Sequence, residues 1–203
     1  MEAVVEMSPD ALRLDLADFW RIDWPTVWAG PPLPVDPGFE EWCARFGWKP
    51  QTVENDLKVL TRHGTLWKLS ARGLWRPVVQ VDQGMWRLET SVKEEEEEVV
   101  AAGVAAWEEY VRAVSEVWGE PSWSGGAGDE DFPDSPAKGM WRKPNSAQGN
   151  PYRLAFWVPP VEDTGPVVVL IQGVAHYTWE PVPGAGSSIR ISLRPAAERG
   201  EHG

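Results

Sequence analysis

Outside the C-terminal tail, imidazole and thiol chemistry rest on three side chains: His63, His176 and Cys43. A nucleophile needs a base within hydrogen-bond reach and a further group to orient that base. The sequence has no G-x-S-x-G elbow, and Cys43 falls on the apolar face of an expected helix, where a cysteine acts as a small hydrophobe. His63 sits in Arg62-His63-Gly64, which reads as a turn, and His176 follows Gly173 near a strand start. Metal chemistry lacks its ligand spacings too, since neither C-x-x-C nor H-E-x-x-H occurs. Asp129-Glu130-Asp131 with Asp134 lacks the alternation and distal glutamate of an EF-hand loop. The glycine-rich stretch Ser124–Gly128 runs into acids where a phosphate-binding loop needs Lys and Ser or Thr. The chain reads as non-enzymatic, with no cofactor and no metal.

Two other residue classes carry binding chemistry. Glu94 to Glu98 form an unbroken acidic run, and acid can steer association with a basic partner. Fourteen tryptophans supply large apolar areas, each with an N–H seeking an acceptor. Trp42, Trp107 and Trp118 fall on helix stripes, and Trp67, Trp86 and Trp157 on strands, so these read as core. Trp20, Trp24, Trp28, Trp48, Trp75, Trp123, Trp141 and Trp179 lie near element ends or in loops, where an indole can fold back or anchor a partner. The expected partner-binding set is Glu94, Glu95, Glu97, Glu98, Asp129, Glu130, Asp131, Trp75, Trp123 and Trp141.

The elements that must position these groups follow from periodicity. Val100, Val104, Trp107, Val111, Val114 and Trp118 draw one stripe of a helix from about 94 to 118. Ser91-Val92-Lys93-Glu94 fits a capping box before it, and Gly119 and Pro121 end it. A second helix is expected over 37–46, with Asp36 as N-cap, Phe39, Trp42, Cys43 and Phe46 on one face and Gly47 closing it. A third is expected over 8–20, capped by Ser8 with Pro9 in its first turn. Strands are expected over 57–60, 65–69, 76–82, 85–90, 152–158, 167–171 and 189–193, with a further one at 176–179. Gln83-Gly84 reads as a hairpin turn between the third and fourth of these. The run 167–171 is apolar on both faces, as in a central strand. Runs of strands around one long helix indicate an α+β fold, an antiparallel sheet with the long helix (about 94–118) and shorter N-terminal helices on one face.

The 203 residues suit one such domain over 36–193, preceded by an extension over 1–35 and followed by a disordered tail over 194–203. Residues 124–150 read as a flexible acidic Gly/Pro loop. The net charge of −12 is concentrated: residues 1–50 hold 9 acids against 4 bases, and residues 93–118 hold 8 against 2. Residues 51–92 are slightly basic, with 6 bases and 4 acids. That balance argues against general nucleic-acid binding, which depends on Lys and Arg meeting phosphates. No apolar run approaches the ~20 residues of a membrane-spanning helix, and Met1–Asp10 has neither the basic start nor the apolar centre of a signal peptide. A cytoplasmic location and no membrane partner are therefore expected. A single cysteine excludes an internal disulfide.

Gly47-Trp48, the strand around Trp86, Val117-Trp118-Gly119-Glu120-Pro121-Ser122-Trp123 and Trp141-Arg142 together give a pattern over residues 36–193. It resembles small uncharacterised actinobacterial α+β proteins, themselves similar in layout to polymorphic-toxin immunity proteins and secretion-chaperone-like domains. The resemblance implies a protein-binding factor for a secreted effector, possessing no catalytic residue, whose partner is a basic effector or toxin. Two other readings stay open: a carbohydrate-binding module using exposed Trp, and a small enzyme whose site carries no familiar motif.

Overall fold

Val78–Thr90 (β5) is one unbroken strand in the computed structural model, where a hairpin around Gln83-Gly84 was expected. Both halves of β5 pair with the same neighbour, Gly184–Arg194 (β9): Gly84 faces Arg190 and Trp86 faces Ile189. Met85 is therefore an inserted residue, a β-bulge beside a glycine, instead of the far side of a turn. Its carbonyl accepts from the amides of Glu6 (2.9 Å) and Met7 (3.1 Å), which brings Val4–Val5 (β1) alongside β5.

The structure describes residues 1–33, 35–52, 57–73, 75–135, 140–144, 150–160, 164–177 and 184–196. Trp179 and the expected loop and tail stretches 136–139, 145–149 and 197–203 lie outside them, as do the side chains of Asp36 and Pro37. Among the described residues the remaining strands are Lys49–Thr52 (β2), Leu57–Leu60 (β3), Leu66–Ala71 (β4), Trp123–Gly126 (β6), Arg153–Trp157 (β7) and Val167–Tyr177 (β8). They form one antiparallel sheet of nine strands in the order β2-β3-β4-β5-β9-β8-β7-β6, with β1 on β5. His176, expected to open a further strand, instead continues β8.

Among the described residues four helices pack on the sheet. Pro9–Phe19 (α1) begins as expected, with Ser8 Oγ accepting from the Ala11 amide at 3.2 Å. Trp24–Ala29 (α2) was not expected, because its six residues are too few to show a stripe. Val35–Ala44 (α3) buries Phe39, Trp42 and Cys43. Gly47 follows with φ +70°, and Trp48 folds back to donate to the Cys43 carbonyl at 3.0 Å. The long helix is Glu96–Trp118 (α4), entered through a 3-10 turn at Lys93–Glu95. The capping box on Ser91 is not formed. The Thr90 hydroxyl instead donates to Glu95 at 2.6 Å and accepts from the Val92 amide at 3.0 Å.

The main core lies between sheet and helices, and Met7, Leu12, Leu16, Phe19, Trp24 and Val27 of the expected N-terminal extension belong to it. Leu12, Leu16 and Phe19 are buried, and the Phe19 ring meets Trp24, Trp48 and Trp67 edge-on at 5.0–5.9 Å. Trp24 and Trp48, near element ends in the sequence, are core residues. Asp15 is buried with them and accepts from Thr61 Oγ1 (2.8 Å), Thr65 Oγ1 and Trp67 Nε1 (2.7 Å). A second, smaller core covers the other face of β7 and β8: Phe132, Met140 and Trp141 pack on Leu154, Val167, Val169 and Ile171. Val168 and Leu170 point into the main core. The doubly apolar run 167–171 is thus covered on both faces, its outer cover drawn from the stretch expected to be a loose loop.

Cys43 is fully buried, and burial pushes its thiol up to about 12. The thiolate is the reactive form, so native protein at pH 8 should resist iodoacetamide until denaturant is added. Rapid alkylation at the rate of a free thiol would contradict this placement. The same shift has a sign in stability. Folded and unfolded chains both keep the proton below about 9, whereas between about 9 and about 12 only the folded chain keeps it. Stability therefore declines with pH across that window.

Candidate partner-binding surface

The long helix does not bury the stripe the sequence advertises. Its buried positions are Val99, Gly103, Trp107, Tyr110, Ala113 and Val114, whereas Val100, Val104, Val111 and Trp118 are only partly covered. The expected face is right at 107 and 114 but is turned by one residue over the first turns. Gly103 explains the turn. It sits directly over Ser187 and Gln172 of the sheet, so close that a Cβ there would lie 2.6 Å from Gln172 Nε2 and 2.9 Å from Ser187 Cβ. Tyr110 fixes the next turns by donating from its hydroxyl to the Met7 carbonyl at 2.6 Å.

The rotation leaves Val100 and Val104 on the flank of α4, where neither packs against the main core. With Ala101 and Val174 they form the apolar lining of an open groove of about 490 Å³. Glu96, Glu97, Tyr152 and His176 complete its walls. His176 is half exposed, and its Nδ1 stands 3.6 Å from Glu96 Oε2. Glu94, Glu97 and Glu98 are exposed, while Glu95 is partly covered and held by Thr90.

The second acidic stretch reaches the same end of the sheet. β6 ends at Gly126, the Ala127 amide donates to the Tyr152 carbonyl at 2.9 Å, and Tyr152 lines the groove. Asp129 closes this turn by accepting from the Gly126 amide at 2.7 Å. Asp131 accepts from Trp123 Nε1 at 3.2 Å, and Glu130 lies exposed between them. Trp123 is partly buried, edge-on to Phe132 at 5.1 Å.

Two expected anchors are placed elsewhere. Trp141 is only 6% exposed, stacked on Phe156 at 4.9 Å, with Nε1 donating to the Pro133 carbonyl at 3.1 Å. Its ring is spent on the second core. Trp75 lies between β4 and β5, at the other end of β5 from Thr90, and is partly buried against the main core with φ +79°. Val100, Val104 and Tyr152 were missed as surface residues, and Val174 as part of the groove lining. The available signal was Gly103, since a glycine inside a strong helical pattern usually marks a close approach.

The other histidine also has a carboxylate. His63 Nε2 lies 2.9 Å from Asp18 Oδ2, and Asp18 Oδ1 pairs with Arg62. An ionised carboxylate only accepts, so His63 Nε2 donates here and cannot also accept from Arg62 Nε at 3.3 Å. Among the described residues no group of three or more His, Cys, Asp or Glu is gathered as a metal-ligand set. No helix of the described residues is long and apolar enough to cross a membrane. No family model, curated protein or solved structure matches the chain.

Proposed function

We propose that this α+β protein is a non-enzymatic protein-binding factor, an immunity protein or dedicated chaperone for a basic effector. The observation that carries the reading is the groove along α4. Its floor is apolar, its walls hold Glu96 and Glu97, and Glu94 and Glu98 are exposed in the same acidic run. A partner segment with apolar side chains on one face and Lys or Arg beside them satisfies both features. Apolar contact supplies affinity at the centre, and charge at the rim supplies encounter rate and selectivity. Asp129, Glu130 and Asp131 extend the negative field at the same end of the sheet.

Titration calorimetry with purified basic effector domains encoded beside this gene tests the proposal at low and moderate salt. The proposal requires saturable binding that weakens with salt. Glu97→Lys with Glu98→Lys, and separately Val104→Asp, should each weaken binding about tenfold or more, equivalent to about 1.4 kcal/mol. No binding by any neighbour-encoded effector at either salt concentration sinks the reading, as does binding indifferent to both variants.

A small enzyme is the second reading, favoured by one observation: His176 and His63 each stand beside a carboxylate, and each carboxylate lines a concavity. Carbohydrate binding has less support, because among the described tryptophans only Trp20 is strongly exposed and Trp118 meets it edge-on at 4.9 Å.

A further inference from the structure

A second open cavity, also about 490 Å³, lies where α1, α3 and the β3–β4 turn meet, on elements that contribute nothing to the groove. Its cationic lining is Arg21, Arg45 and Arg62, and its apolar lining includes Ile22 and Phe46. Asp18 and Asp23 line it as well, so the lining carries three arginines against two carboxylates. Asp18 holds Arg62 and His63, and Asp23 accepts the Thr26 hydroxyl. Arg21 and Arg45 make no ion pair among the described residues.

This is unexpected in a chain with 31 acids and 19 bases, where a free arginine has more carboxylates than it needs within reach of evolution. Arg45 directly follows α3 and Arg21 follows the C-cap of α1, Trp20, and the negative end of a helix dipole favours a cation there by about 0.3–1 kcal/mol. The dipole accounts for one cation at each position. It leaves unexplained why two exposed guanidiniums with no ion pair border the same cavity, where only the Asp23 carboxylate offsets their charge.

A bound anion offsets the positive charge that remains. A guanidinium presents its N–H groups as a planar fork that matches a carboxylate with two parallel hydrogen bonds. Ile22 and Phe46 offer partly buried apolar surface for a carbon body attached to the carboxylate. Gly47 keeps the wall beside Phe46 low, since nothing stands within 4 Å of a Cβ built there. Arg62 adds a third positive charge whose position is fixed by Asp18.

We infer that this cavity is a binding site for a small organic carboxylate, its anionic head between Arg21 and Arg45 and its apolar body against Ile22 and Phe46.

The experiment titrates the full chain at low ionic strength with benzoate, with benzamide as the neutral isostere and inorganic phosphate as the purely ionic competitor. Binding is followed by amide chemical shifts and by calorimetry. Benzoate should saturate with a Kd below about 1 mM and shift the amides of Ile22, Phe46 and Gly47. Arg21→Ala and Arg45→Ala should each weaken it about tenfold or more. Arg45→Lys should also weaken it, since a point charge does not replace the fork. Arg112→Ala, which removes an exposed pair with Glu109, should leave it unchanged. Shifts confined to these amides locate the site in the unmutated protein, so the test survives a variant that folds poorly. No saturable shift overturns the site. Benzamide binding as tightly as benzoate overturns the anionic head, and phosphate binding as tightly overturns the carboxylate class. Loss of this site leaves effector binding at the α4 groove untouched, so the two proposals fail separately.

Discussion

Asp15→Ala destabilises the protein by about 3–5 kcal/mol, the sum of weakened hydrogen bonds and stranded donors. Asp15 is fully buried on α1 and has no cationic partner among the described residues. Three neutral donors hold its carboxylate: the hydroxyls of Thr61 and Thr65 and the indole N–H of Trp67. Hydrogen bonds to a charged acceptor contribute about 1.5–3 kcal/mol each, and a buried donor left without an acceptor costs about 1–3 kcal/mol. The alanine variant loses all three bonds. Its two threonines can still bond each other, as their oxygens already lie 2.6 Å apart, but Trp67 Nε1 has nothing else to meet. Relief of the carboxylate's own desolvation offsets part of the loss, which keeps the total below the sum of three full bonds.

Asp15→Asn separates hydrogen bonding from packing. Its carbonyl can still accept from Trp67, and a threonine oxygen can accept from its NH2, so the cost should fall to about 1–2 kcal/mol. Urea denaturation with unchanged m-values measures both variants. Equal losses for Ala and Asn would show that charge, not acceptor geometry, holds the turn. A loss below about 1 kcal/mol for Ala would refute the account. The effect has a functional side, because Asp18 lies one turn further along α1 and grips Arg62 and His63 of the same turn. Loosening residues 61–65 also loosens the third arginine of the proposed carboxylate site.

Elements with a strong local signature were legible in the sequence, and contacts between distant residues were not. Ser8-Pro9 marks the start of α1 because the hydroxyl and the proline each fit a helix N-terminus by themselves. Gly119 ends α4 for an equally local reason, its φ of +78°. Gln83-Gly84 misled because a glycine between two alternating runs serves a turn and a bulge alike. Only pairing of both halves with β9, some hundred residues downstream, decides between them. Trp24, Trp48 and Trp141 were ambiguous in the same way. An indole at an element end is buried or presented according to what passes over it, and for Trp141 the decisive neighbour is Phe156. The acidic part of the candidate surface could be read from sequence, since charge needs no partner to be visible. Its apolar part could not, because Val100 and Val104 look like core until the sheet is seen to turn the helix away from them.

Gly103→Val should destabilise the fold by about 3 kcal/mol or more. Glycine inside a helix forgoes roughly 1 kcal/mol relative to alanine, so an exposed Gly103 would be improved by substitution. Here the sheet forbids it. A Cβ would meet Ser187 Cβ at 2.9 Å and Gln172 Nε2 at 2.6 Å, with Ser187 Oγ closer still. Ser187 could rotate its hydroxyl away only by breaking its 3.1 Å bond from Gln172, in a buried pair whose Gln172 Oε1 already lacks a partner. Its Cβ cannot rotate away at all, so the first turns of α4 must lift from β8 and β9. Overpacking of this kind costs about 1–3 kcal/mol, which makes even Gly103→Ala neutral to destabilising, and the branched valine adds two methyl groups to the clash. Ser187→Gly removes the offending carbon. If the clash is the cause, Gly103→Ala with Ser187→Gly should be more stable than the two single losses predict, with a coupling of about 1 kcal/mol or more in denaturant titrations. Strict additivity would refute the steric account. The same contact turns Val100 and Val104 outward, so a helix lifted off Ser187 no longer holds the groove against Val174. Gly103→Val should therefore weaken the proposed effector binding well beyond its loss of folded protein, whereas Asp15→Ala, acting at the other helix, should not.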